Sequence, residues 1–257
     1  MIQKNNKAVI AIIGASAILL SLSAWQVNRL QWKNNIIEKL DNEYTKNPAK
    51  YVYDFKALNE LGEGTMPIRY GRVKGELMPS HTMLFGPKPH EGKAGFDVVT
   101  PLRMNKGYIL VHRGWIAEED GKENKKEGND SFGQNLNVNS NKVNQTLLNE
   151  VSLANINIDG IIRKSEWNHF TPDNSPENEI WSKLDIESIA KAKNLSPIAP
   201  VIIYADSSNH KDIISKSSDG KWYPRNKHKY YAIFWFVMAC ALWGVAGNYW
   251  FNNKRKM

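Results

Sequence analysis

The sequence predicts an α+β membrane protein in which two transmembrane helices, one towards each end, flank a mostly β, barrel-like exported domain with short helices. Three observations carry that expectation. Residues 8–25 (AVIAIIGASAILLSLSAW) hold no charged side chain over 18 positions, and residues 230–251 (YYAIFWFVMACALWGVAGNYWF) hold none over 22. A helix of about 20 apolar residues crosses a hydrocarbon core. Between these segments lie several short apolar runs broken by turn residues, and such strands must hide their edges by closing on one another.

Charge gives the expected orientation. All 26 acidic residues lie between the two apolar segments, whereas Lys4, Lys7, Lys254, Arg255 and Lys256 form short basic tails beyond them. The net charge of +8 therefore divides into +5 at the tips and +3 across residues 26–229. Positive charge next to a span marks its cytoplasmic side, so both termini are expected in the cytoplasm of a bacterial cell, the middle in the periplasm and the spans in the inner membrane. A basic balance of this origin is a topology signal and excludes a nucleic-acid footprint. The rival reading of the first segment is a cleaved signal peptide, since Ser21-Leu22-Ser23 offers a small-x-small site. The apolar run exceeds the 7–15 residues typical of such peptides, which favours an uncleaved anchor.

Beyond the first span, Trp25, Arg29, Trp32, Ile36, Leu40 and Tyr44 recur every three or four positions. The helix is thus expected to continue to about residue 45, before Pro48. The exported domain then covers 46–229. Strand-like runs occupy residues 68–77, 83–85, 96–103 and 108–113, the last two joined through Asn105-Lys106-Gly107 as a hairpin. An Asn- and Lys-rich stretch at about 118–149 reads as a disordered insertion. Apolar alternation resumes over residues 153–162, where Gly160 suggests a bulge or turn. A short helix at 186–193, capped by Asp185, precedes a strand at 201–205. On the spans, Ala11 with Ala15 and Ala17 with Ser21 are small-residue pairs, while Ala232, Ala239 and Ala246 recur at sevens, which suits close helix packing.

No enzyme motif emerges. Gly86 and Gly92 bracket five residues where a phosphate loop needs four, and neither a G-x-S-x-G elbow nor an H-E-x-x-H pair occurs. Cys240 is the only cysteine, so a disulfide framework and a C-x3-C copper chaperone are both excluded. His81, His90, His112, His169 and His210 are too scattered to form a ligand set on one element. His228 stands apart, at the outer end of the second span, flanked by Arg225, Lys227 and Lys229 and followed by Tyr231 and Trp235. On a helix, Tyr231, Ala232 and Trp235 share its face. An imidazole beside aromatic surface with cations nearby suits a haem, the nitrogen ligating iron and Arg225 meeting the propionates. An aromatic belt with snorkelling cations has the same composition, and from the residues alone both readings stand.

Five stretches resemble the Surfeit-locus protein 1 family, the assembly factors of cytochrome c oxidase. These are Trp25-Gln26 with Arg29, Trp32 and Lys33; Arg69-Tyr70-Gly71-Arg72-Val73 with Gly75; and Gly95-Phe96 through Thr100-Pro101-Leu102 to Leu110-Val111-x-Arg113-Gly114-Trp115. The others are Trp181 with Leu184-Asp185-Ile186 and Ala190, and Arg225-Asn226-x-His228-x-x-Tyr231-Ala232-x-x-Trp235. The resemblance implies a non-enzymatic assembly factor for haem-copper oxidase that binds, delivers or stabilises haem a for subunit I. Subunit I, the haem a synthesis machinery and the lipid bilayer are then its partners. His228 matches the family's proposed haem-iron ligand, with Arg225, Tyr231 and Trp235 beside it, and Gly114 matches a core position needing positive φ or close approach. The chain departs from the pattern at His112, where relatives often carry another polar residue, and in the Asn-rich insertion. A scaffold acting by protein contacts alone and a membrane-anchored hydrolase are the alternative readings.

Overall fold

A computed structural model of the chain describes residues 2–64, 68–118, 154–168, 170–207, 213–214 and 223–254, with side chains over 9–252 of these. The expected insertion lies, from residue 119 onward, outside the described residues. The chain divides into two units, Met1–Asp41 with Tyr223–Met257, and Asn42–Trp222. Its helices are α1 (Ile2–Tyr44), α2 (Phe55–Glu63), α3 (Ile186–Lys193) and α4 (His228–Lys254). The strands are β1 (Ile68–Leu77), β2 (Met83–Phe85), β3 (Gly95–Met104), β4 (Gly107–Ala117), β5 (Ile156–Arg163) and β6 (Ile198–Ala205).

The first unit is a pair of helices long and apolar enough to cross a membrane. Their buried seam holds Ser16 and Gln26 on α1 and Ala232 and Ala239 on α4. Ala232 and Ala239 therefore sit in the seam, as their spacing predicts, while Ala246 is only half-buried. On α1 the expected small-residue pairs do not: Ala11, Ala15, Ala17 and Ser21 are exposed. The seam instead runs through Ser16 and Ser23, whose spacing of seven keeps both on one line of a helix pair. Ser23 Oγ donates to the Ala232 carbonyl at 3.0 Å.

The second unit is built on one sheet in the order β1-β5-β6-β4-β3-β2, with a further β1–β3 pairing that closes five strands into a ring. Closure rests on the register Glu76↔Arg103 and Leu77↔Leu102. All pairs are antiparallel except β4 with β6. Side chains alternate across each strand. Val73, Leu102, Ile109, Val111, Ile162, Val201 and Ile203 meet in one core with Leu58 of α2. Leu110 and Ile202, pointing the other way, join Phe85, Trp181, Ile186 and Ile189 beneath α3. The strands at 68–77 and 83–85 and the helix at 186–193 fall where their patterns predict, and the hairpin turns at Asn105-Lys106. Helix α2 is an addition to the expected elements. It begins at Asp54, whose carboxylate accepts from the Ala57 amide at 2.8 Å.

The surroundings of Gly114, from one of the resembling stretches, and of Gly160 show why no other residue fits. Gly114 has φ +139°, and a Cβ there would lie 2.5 Å from the Ile214 carbonyl oxygen. It follows a β-bulge: Val98 pairs with Gly114 but Val99 with His112, leaving Arg113 as the extra residue. Gly160, expected at a bulge or turn, lies instead in a regular ladder between Gly71 and Ala205. Its reason is close approach, since a Cβ would come within 2.1 Å of the Tyr204 carbonyl oxygen. Opposite Asp159 on the adjoining strand, Arg72 makes a two-pronged contact at 2.6 and 2.7 Å.

Gly160→Ala is expected to destabilise the sheet unit by at least about 2 kcal/mol, the scale of overpacking against an unyielding backbone, measured as a lowered urea midpoint. A second expectation concerns Tyr70, whose hydroxyl donates to Asp206 Oδ2 at 2.5 Å. Burial first, and then this hydrogen bond, push the phenol above its ordinary value. The stabilisation is fully present below a pH of about 10 and is lost as the pH rises further, because the unfolded chain then releases its proton more readily. Tyr70→Phe should flatten this alkaline loss in unfolding curves.

Candidate functional site

The start of α4 is shaped by its own polar residues. Asn226 Oδ1 accepts from the His228 amide at 3.4 Å, and Asn226 Nδ2 donates to Asn34 Oδ1 on α1 at 2.9 Å. Tyr223 Oη donates to Asp41 Oδ1 at 2.6 Å. These contacts hold the segment before α4 along α1 and so fix where the helix begins.

His228 is half-buried, and its Nδ1 lies 2.7 Å from Oε1 of Gln26, itself 9% exposed. An amide oxygen only accepts, so Nδ1 carries the proton, and in the neutral ring Nε2 then keeps its lone pair. No described residue hydrogen-bonds Nε2. This is the arrangement of a metal-ligating histidine, whose second nitrogen donates to an oxygen that sets tautomer and ring orientation. A half-buried imidazole oriented in this way is compatible with the histidine that a haem iron takes. Among the described residues no group of three or more His, Cys, Asp or Glu is gathered for a bare metal ion.

The other expected site residues are placed unevenly around it. Trp235 is half-buried and, with Ala232, lies along the seam with His228. Tyr231 is 52% exposed, and Tyr230 and Phe234 are exposed at 74% and 51%. These rings form apolar surface on the outer side of α4, suited to lipid or to the face of a macrocycle. Arg225 is exposed, one turn before the helix. Gln26 is the residue that the sequence did not single out. It was visible only as one amide in a span-exit stretch, and its role needs a partner 202 positions away.

The remaining histidines take separate places. His81 Nδ1 lies 3.0 Å from Ser80 Oγ, His90 packs 5.2 Å from the Trp115 ring, and His112 is buried at 5% exposure. His169 and His210 lie outside the described residues. Trp115, the last residue of the Val-x-Arg-Gly-Trp run, is buried and donates from Nε1 to the Lys88 carbonyl at 2.8 Å. Trp181 is buried against Phe85. These motif aromatics serve the fold of the sheet unit.

Comparison with known proteins completes the picture. The family model described as "SURF1 family" matches residues 13–240. A SURF1-like protein of Dictyostelium discoideum is 24% identical over 99% of this chain and 98% of its own length. A SURF1-like protein of Rickettsia felis is 24% identical over 92% and 93%. The "Cytochrome oxidase assembly protein SHY1" of Saccharomyces cerevisiae is 30% identical over 44% of this chain and 29% of its own length. With the match running from inside the first span to inside the second, this chain belongs to the SURF1 family.

Proposed function

We propose that this chain is an assembly factor for cytochrome oxidase, anchored by α1 and α4 in a bacterial inner membrane with its sheet unit in the periplasm, and that it holds haem a for subunit I through His228. The observation that carries the reading is the Gln26–His228 pair, which turns Nε2 into the available nitrogen. The naming of a yeast relative as an oxidase assembly protein supports the setting. Its acceptor, subunit I, and its source, the haem a synthesis machinery, are the partners this reading requires.

The residues divide the work by chemistry. Gln26 accepts the Nδ1 proton, prevents tautomer exchange and makes the imidazole a better donor at Nε2. Arg225, exposed before α4, offers a planar cation to carboxylates. Tyr231 supplies flat apolar surface, and Trp235 stiffens the seam beneath it. A bound haem would supply an iron centre with an open coordination position for this nitrogen. Binding rather than turnover is the role: the pair positions a group and offers no nucleophile or proton relay.

Three outcomes test the reading. In detergent, titration of the full chain with haem should give a Soret shift that His228→Ala abolishes; equal affinity in the variant would leave a scaffold acting by protein contacts. Gln26→Leu should weaken haem affinity about 10- to 100-fold, the usual cost of losing the partner behind a ligating histidine, whereas Gln26→Glu, which keeps an acceptor, should retain most of it. For orientation, Ser80→Cys in a Cys240→Ser background should react with a membrane-impermeant maleimide added to spheroplasts. Protection until lysis would reverse the topology.

A further inference from the structure

Beside the hairpin of β3 and β4 the sheet unit carries a cleft of about 490 Å3, within the roughly 300–1,000 Å3 of small-molecule sites. Nothing in the haem reading uses it. Its apolar lining comes from Tyr53, Phe55 and Met104, half-buried side chains that pack on the core shared by Leu58, Val73 and Leu102. Its polar lining comes from Lys74 of β1 and from Asn105 and Lys106, the two-residue turn between β3 and β4. Asn155 and Asn157, on either side of the first residue of β5, complete it. The ring brings these groups together. Lys74 is the register partner of Asn157, and the pairing of Glu76 with Arg103 sets β1 beside the hairpin that turns at Lys106.

The sign of the lining follows from its pairing. It holds three lysines, Lys56, Lys74 and Lys106, against the one carboxylate of Asp54. Asp54 is engaged at the start of α2, where its Oδ1 accepts from the Ala57 amide. Lys56 lies 3.7 Å from Glu60 on the same helix. Among the described residues, Lys74 and Lys106 have no carboxylate within ion-pair distance, and the side-chain amides of Asn105, Asn155 and Asn157 make no hydrogen bond. Glu76, two residues from Lys74, is taken by Arg103.

On a convex surface two solvated lysines need no partner. In a cleft, apolar walls concentrate the field of like charges, and the place attracts an anion. A lysine ammonium meets phosphate as a point charge with three donors, and the amide NH2 groups add directed ones. A phosphate monoester carries about −1.5 to −2 at pH 7, which suits two lysines, whereas a carboxylate answers only one. We propose that this cleft binds a small phosphate monoester, its phosphate received by Lys74 and Lys106 and its organic body lying against Tyr53, Phe55 and Met104.

The test is calorimetric titration of the full chain in detergent with phenyl phosphate, in phosphate-free buffer at a pH of about 7. Binding at one site per chain, in the millimolar range expected of so small a ligand, supports the proposal. Lys74→Met and Lys106→Met should each weaken it about tenfold, the loss of one charge-assisted contact, at an unchanged melting temperature because both side chains are exposed. Lys191→Met, which removes an exposed charge of α3 outside the cleft lining, should leave affinity as in the parent. Phosphatidate added to the micelles distinguishes the source of the ester: displacement of phenyl phosphate identifies a lipid headgroup, and no displacement a soluble molecule. Absence of binding, binding that survives the double variant Lys74→Met/Lys106→Met, or a loss as large in Lys191→Met would each overturn the proposal. So would benzoate or inorganic phosphate bound as tightly as phenyl phosphate.

Discussion

Every backbone N–H and C=O that leaves water must find a partner within the chain, and both units are solutions to that one requirement. In the apolar segments the solution is the helix, which pairs its interior groups with one another and leaves only its ends to caps and water. In the sheet unit it is the ring, in which Leu77 and Leu102 bring β1 and β3 together so that five strands share their edges. Only β2 stands outside, and its far side is met by Trp181 through the Phe85 bridge. Once the backbone is settled, the side chains left over decide what the molecule can do.

Seen that way, certain polar side chains have been kept inside at a cost. A glutamine within the buried seam of an apolar helix pair is expensive unless paired, and Gln26 meets His228. A buried aspartate is expensive too, and Asp97 meets Lys88 and His112. In both cases the polar group faces an imidazole, through a hydrogen bond at Gln26 and at an ion-pair distance of 3.5 Å at Asp97. The resemblance is one of physical logic and not of sequence, since one histidine lies on a helix and the other on a bulged strand.

Much of the fold was legible because it follows from local pattern. Charge-free length gave α1 and α4, alternation gave β1 and β2 to the residue, and Asp185 with its following run gave α3. Helix α2 was missed although it is no shorter than α3 and Asp54 was available as a cap. Gly160 was misread as a bulge because a glycine in a strand signals either irregular backbone or close approach, and only the packed sheet distinguishes them. The same limit applied to the histidines. His228 could be chosen from its position beside a span, but the helix phase that places Ser16 and Ser23 in the seam, and exposes Ala11 and Ala15, is set by the partner helix. His112 looked scattered among unrelated histidines. The register that sets Val99 against His112, and so brings Asp97 near, is a property of the folded hairpin.

The Gln26–His228 hydrogen bond also has a place in time. Its two halves are separated by 202 residues, and at roughly 5–20 residues per second the ribosome takes about 10–40 s to cover that distance. Throughout that interval Gln26 is already made and His228 is not. The imidazole is thus oriented only after the whole sheet unit has been synthesised, so a nascent or truncated chain carries Gln26 without its partner, and the hydrogen bond becomes a mark of a sheet unit already made.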